Sequence, residues 1–194
     1  DMRKMMLGVA AVALAFGTPR PDTARPPSPT APVPPDLSTL RAPLEAGLEQ
    51  LGLALQPSQV DQLLAYLALP ADWNTVHNLT AVRDPAQMVP RHLLDSLAVL
   101  PWVEGDTLCD LGSGAGFPAV PLAIVRPAST YIMMEARRKR ANFLREIIRQ
   151  CRLSNATVAE GRVEHLVSEH GRFDVVTSRA FSSLRPFLQV AGPF

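Results

Sequence analysis

Three glycines in alternation, Gly112, Gly114 and Gly116, follow a short apolar run, Leu108 to Leu111, broken by one acid, Asp110. Phe117 and Pro118 come next. This order predicts a buried strand, a tight turn and a helix start. Glycine permits positive φ and lets the backbone approach a ligand that a Cβ would exclude. Pro118 suits a first helical turn, where its missing N–H removes nothing needed. Such a turn at the carboxyl end of a parallel strand is where α/β sheets take nucleotide-like ligands. A dinucleotide fingerprint is spaced G-x-G-x-x-G, whereas the spacing here is G-x-G-x-G. On this stretch alone, a glycine-rich turn without a ligand stays open.

Further groups could complete such a site. Glu135 stands nineteen residues past Gly116, where nucleotide-binding folds put an acid on ribose hydroxyls; the alternative is an acid favoured by a helix N-terminus. Arg137, Arg138, Lys139 and Arg140 then open a helix whose dipole disfavours them. They form either a solvated face or a phosphate-contacting patch. Arg179 closes a later strand, at the ligand edge of a parallel sheet or in an ion pair of its own loop. Cys109 and Cys151 lie in apolar surroundings and the four histidines form no ligand pair, so no metal site is expected. The net charge of +1 does not by itself declare a nucleic-acid binder.

The elements that must position these residues fall into three regions. Residues 1–36 combine a basic start and a short apolar run with a proline-dominated stretch. They read as a secretory signal and disordered linker, or else as an unstructured extension or misplaced start. The apolar run is too short to span a bilayer. Residues 37–104 are expected to be helical. Leu40, Leu44, Leu48 and Leu51 make one stripe; Val60, Leu63, Leu64 and Leu67 make a second, opened by Pro57. Trp73 to Asp84 reads as a connector, and Arg91 to Leu100 as a helix that Pro90 starts or kinks. Residues 105–194 alternate strand and helix. Strands are expected at 107–111, 130–134, 156–159 and 174–177, with helices at 118–125, 138–150, 163–169 and 183–190. Four β/α steps imply a parallel sheet with right-handed crossovers.

The glycine turn with Asp110 resembles motif I of the S-adenosylmethionine-dependent methyltransferases. A wider set occurs in order along the chain: Asn78-Leu79-Thr80-Ala81, Arg91-His92-Leu93-Leu94-Asp95-Ser96, Asp110 to Pro118, Lys139-Arg140 with Phe143-Leu144, Gly161-Arg162-Val163-Glu164 and Ser178-Arg179-Ala180-Phe181. That set resembles the RsmG family, also called glucose-inhibited division protein B, from about Leu37 onward. The resemblance implies an α/β, Rossmann-like methyltransferase fold with N-terminal helices. It also implies methyl transfer from S-adenosylmethionine to N7 of one guanine in 16S ribosomal RNA, by a cytoplasmic, monomeric enzyme. Cofactor contacts fall on Gly112, Gly114, Gly116, Phe117, Val163, Glu164 and Arg179, with Glu135 in the ribose-binding place. His92 lies in a family motif without an assigned role. Members usually carry Lys at Thr75, Tyr at His77 and Gly at Ala119, and their sheet continues past a fourth strand and helix, so its C-terminal strands are expected to be missing here. A truncated, inactive RNA-binding domain and a nicotinamide-dependent oxidoreductase are the competing readings.

Overall fold

The computed structural model describes residues 38–77, 85–179 and 184–192. Two helices come first, α1 (Ser38–Gln50) and α2 (Pro57–His77). Their stripes are buried at Leu40, Leu44 and Leu48 and at Val60, Leu63, Leu64 and Leu67. Leu51, expected in the first stripe, lies past the last helical residue and is exposed. The expected connector from Trp73 is also corrected: α2 continues to His77. Residues 78–84, with the Asn78–Ala81 motif, fall outside the described residues, as do residues 1–37 and Ala180–Ser183.

A third helical segment begins with α3 (Pro85–Met88), widens into a π-helical turn at Val89–Leu94 and ends as α4 (Asp95–Leu97). Pro90 therefore does not start the helix; it lies inside it, where the winding departs from α. It sits at the beginning of the widened turn, where the Asp95 N–H bonds back to the Pro90 and His92 carbonyls. A proline inside a helix removes one donor and clashes with the preceding turn, and a π turn is one way to absorb this.

Four strands follow: β1 (Thr107–Leu111), β2 (Thr130–Glu135), β3 (Ala156–Glu160) and β4 (Val175–Thr177). The helices among and after them are α5 (Ala119–Val125), α6 (Arg138–Gln150), α7 (Val163–His170) and α8 (Leu184–Ala191). The sheet is parallel, in the order β3-β2-β1-β4. β4 starts one residue later than expected, because Asp174 serves as a clamp. Its carboxylate accepts the Asp106 and Thr107 N–H groups, both at 2.9 Å, and the Thr107 hydroxyl at 2.8 Å.

Both faces of the sheet are covered, which accounts for the nearly continuous apolar strands. Leu108, Tyr131, Met133 and Ala156 pack into the core shared with α1, α2, α5 and α6. Cys109, Leu111, Met134 and Ala159 pack on the other face with Leu166 of α7 and Phe187 of α8. The chain leaves β1 in one direction to reach β2 and β3, then returns on the other side as β4. That reversal puts a topological switch point between the carboxyl ends of β1 and β4, the place where open α/β sheets bind ligands.

Candidate functional site

The turn after β1 is held by the end of β2. The Gly112 and Ser113 N–H groups both donate to the Met134 carbonyl, at 2.8 and 3.1 Å. Glu135, nearly buried, accepts the Gly114 N–H at 3.0 Å on one carboxylate oxygen and the Arg137 N–H at 2.9 Å on the other. The Gly161 N–H bonds in turn to the Glu135 carbonyl at 3.1 Å, which ties the loop before α7 to the same point. One acid thus organises three carboxyl-end loops, and its remaining lone pairs stay available to hydroxyl donors.

The three glycines all have positive φ, of 68°, 56° and 96° in order, but two of them answer to different neighbours. A Cβ on Gly114 would meet nothing nearer than the Gly112 carbonyl at 3.8 Å. One on Gly116 would lie 2.7 Å from Val120 Cγ2 and 3.2 Å from both Leu144 Cδ2 and the Tyr66 hydroxyl. Gly114 borders open space, and Gly116 closes the turn onto the core.

Asp110 is fully buried at the end of β1. Its Oδ1 accepts the Thr177 hydroxyl at 2.8 Å, while Oδ2 has no hydrogen-bond partner among the described residues. Burial raises its pKa to about 6, against the lowering effect of the adjacent Ser113 hydroxyl, which itself donates to the Asp110 backbone carbonyl at 2.9 Å, of the Thr177 hydrogen bond and of the nearby Arg179 charge. An orphaned buried carboxylate oxygen is costly unless something fills the place.

Phe117 is the centre of a side-chain cluster. The Tyr66 ring lies 5.1 Å from it and the His92 ring 4.5 Å away, the latter inclined by only 24°. The Arg179 guanidinium carbon sits 6.0 Å from the Phe117 ring centroid. Tyr66 donates to the Ala115 carbonyl at 2.8 Å, so α2 is hydrogen-bonded to the glycine turn. Burial and the neighbouring Arg179 charge lower the His92 pKa to about 4. The imidazole is therefore neutral at neutral pH. Arg179 pairs with Asp95 at 3.0 Å and donates to the Arg91 carbonyl at 3.3 Å. The loop ion pair held open for Arg179 thus reaches instead to the helical segment before the sheet.

The structure brings Gly112, Gly114, Gly116, Phe117, Glu135 and Arg179 to one edge of the sheet. Val163 and Glu164 stand at the start of α7 beyond β3; Val163 is half-buried against the second core face and Glu164 is exposed. Arg137, Arg138 and Lys139 are exposed at the start of α6, and Arg140 is half-buried. Tyr66 and Asp95 were not anticipated as site residues. Tyr66 carries a signal: a phenol within an apolar helical stripe needs a hydrogen-bond partner when buried. Asp95 carries none, since its partner lies on the far side of the sheet's sequence. An open concavity of about 490 Å³ between α1 and α2, lined by Leu48, Leu53, Leu55 and Val60 among others, shares no residue with this site. No helix of the described residues is long and apolar enough to cross a membrane.

Comparison with known proteins agrees with this geometry. The family model described as GidB, rRNA small subunit methyltransferase G, matches residues 59–194. A protein of Methylobacillus flagellatus named ribosomal RNA small subunit methyltransferase G is 50% identical over 147 residues, covering 76% of this chain and 71% of that protein. Proteins of the same name from Stenotrophomonas maltophilia and Pseudomonas aeruginosa are each 48% identical, over 80% and 74% of this chain and 72% and 67% of their own lengths. With a switch-point glycine turn, an acid at the end of the adjacent strand and matches of this extent, the chain belongs to the rRNA small subunit methyltransferase G family.

Proposed function

We propose that this chain transfers a methyl group from S-adenosylmethionine to N7 of a guanine in the 16S RNA of the small ribosomal subunit. The observation that carries the reading is the switch-point edge itself, where the Gly114 cradle, Glu135 and the orphaned Asp110 oxygen converge. These groups fit the cofactor: an open glycine face for the nucleoside, an acid with spare lone pairs for ribose hydroxyls, and a second buried acid suited to a cationic group. The G-x-G-x-G spacing and the buried Asp110 beside the turn oppose a pyrophosphate, which disfavours a nicotinamide dinucleotide. Val163 and Glu164 would border the adenine, and Phe117 and Arg179 the amino-acid end.

When bound, the cofactor supplies an electrophilic methyl group on a sulfonium. Guanine N7 has a lone pair and no proton to lose, so the protein needs no general base. The task of the residues is orientation, and correct alignment alone can remove roughly 7–11 kcal/mol of barrier. RNA would be held by phosphate contacts from Arg137, Arg138, Lys139 and Arg140 and by stacking of the target base. We place the enzyme in the cytoplasm, acting as a monomer.

Calorimetry with adenosylhomocysteine and with NADH tests the cofactor. Methyl transfer to small-subunit RNA, followed by borohydride and aniline scission at N7-methylguanosine, tests the product. Binding of adenosylhomocysteine but not NADH, with scission at one guanine, is expected. Failure to bind adenosylhomocysteine would favour a non-enzymatic RNA-binding domain.

A further inference from the structure

The two terminal nitrogens of Arg179 are in different circumstances. Nη2 is committed: it pairs with Asp95 Oδ2 at 3.0 Å and donates to the Arg91 carbonyl at 3.3 Å. Nη1 is buried and has no hydrogen-bond partner among the described residues. A guanidinium nitrogen shut away from water without an acceptor is costly. The ion pair with Asp95 and the carbonyl of Arg91 fix one side of the planar fork, and the Phe117 ring lies beside it at 6.0 Å. Because guanidinium donors lie in a fixed plane, fixing Nη2 also fixes the direction of Nη1.

We infer that Asp95 is a positioning residue: it holds Arg179 so that Nη1 faces the switch-point edge as a ready donor for an anionic or carbonyl oxygen of the bound ligand. The inference rests on the proposed role of Arg179 at the cofactor and adds the residue that aims it. Asp95 also balances the Arg179 charge, with the buried Asp110 nearby. The site therefore offers a directed hydrogen bond more than a net positive field. That combination suits a zwitterionic amino-acid group better than a phosphate. His92 supports the same arrangement from the preceding turn by stacking on Phe117 at 4.5 Å, so the helical segment before the sheet sets both side chains that the ligand would meet.

The test is a double-mutant cycle on the full chain, read by calorimetry with adenosylhomocysteine and by the melting temperature of the ligand-free protein. Arg179→Ala should weaken binding by roughly tenfold or more, as loss of one charge-assisted hydrogen bond does. Asp95→Asn should weaken it by a comparable factor, and should add nothing in the Arg179→Ala background. Melting temperatures should move little, because the pair is half-exposed. Unchanged affinity in Asp95→Asn, or independent and additive losses, overturns the positioning role. Parental affinity in Arg179→Ala overturns the cofactor reading of Arg179 itself, a separate failure. Arg179→Lys is the second variant, useful should Asp95→Asn not fold. Its three donors radiate from one nitrogen and lack the planar fork, so pairing with Asp95 no longer aims a second nitrogen at the ligand; it should bind more weakly than the parent, and parental affinity in that variant overturns the inference.

Discussion

The turn after β1 and the π-helical turn at Val89–Leu94 both reach Phe117, and they are built from different materials. The first works with backbone: positive φ, bare Cα atoms and N–H groups drawn onto Met134 and Glu135. The second works with side chains, the His92 ring and, just beyond it, the Asp95 carboxylate. A backbone device tolerates almost no substitution, because any Cβ acts on φ or on space. A side-chain device is graded, since a neighbouring residue of similar shape retains part of its effect.

The largest expected effect tests the backbone half. Gly116→Val combines strain at positive φ with a Cβ 2.7 Å from Val120. It should cost about 4 kcal/mol of folding stability, adding backbone strain to overpacking. Gly114→Ala, with open space around it, should cost only about 1–2 kcal/mol, from αL strain alone, and lose adenosylhomocysteine binding instead. Denaturant midpoints and calorimetry on the two variants check this; equal stability losses would break the distinction between the glycines.

The side-chain half is tested by pH. His92 sits at about 4 in the folded chain against an ordinary value of 6.5, and Asp110 at about 6 against 3.8. Between these values the unfolded chain protonates His92 while the native state does not, so that contribution to stability is lost as pH falls. Asp110 has the opposite sign: the native state keeps a proton the unfolded chain has released, so its contribution is lost as pH rises. The two nearly cancel in the same window. His92→Gln removes one of them, and its stability relative to the parent should rise by about 3 kcal/mol between pH 7 and pH 4. A constant difference across that range would mean that His92 is not buried neutral.

Glu135 joins the two halves with the ligand edge. Glu135→Ala orphans the Gly114 and Arg137 N–H groups and should lower apo stability by about 2 kcal/mol, besides weakening adenosylhomocysteine. An unchanged apo melting temperature would reduce Glu135 to a ligand contact alone. The smallest stability effect belongs to the basic run. Replacing Arg137, Arg138, Lys139 and Arg140 by Gln should leave stability within about 0.5 kcal/mol. It should still change the log–log salt slope of RNA binding by about 0.7 per lost phosphate contact. An unchanged slope would move the RNA surface elsewhere.

The legibility of the sequence divides along the same line. The glycine turn could be read because its determinants are local: spacing, a preceding apolar run and a following proline. The strands are legible for the same reason, and β4 differs from the expected bounds only at Asp174, whose carboxylate is engaged by Thr107. The Phe117 cluster was harder. Tyr66 meets Ala115 across 49 positions and Arg179 meets Arg91 across 88, and no periodicity in either segment encodes those meetings. The tail of α2 at Trp73–His77 was missed because its polar residues look like a connector, although the helix continues through them.

The π-helical turn has a consequence for which changes the chain can accept. A turn of this kind holds one residue more than the α turn it replaces. Deleting one residue within Val89–Leu94 would restore ordinary helical winding and leave a helix as regular as before. That turn sweeps about one revolution with the extra residue counted in, so side chains beyond the deletion would keep their directions around the axis, and Asp95 would still face Arg179. What would change is the interior of the turn, where His92 meets Phe117. The segment acts as slack in the winding, written in chain length rather than in residue identity. Across a lineage, loss of one residue here should disturb the helix beyond it less than a deletion in ordinary α winding.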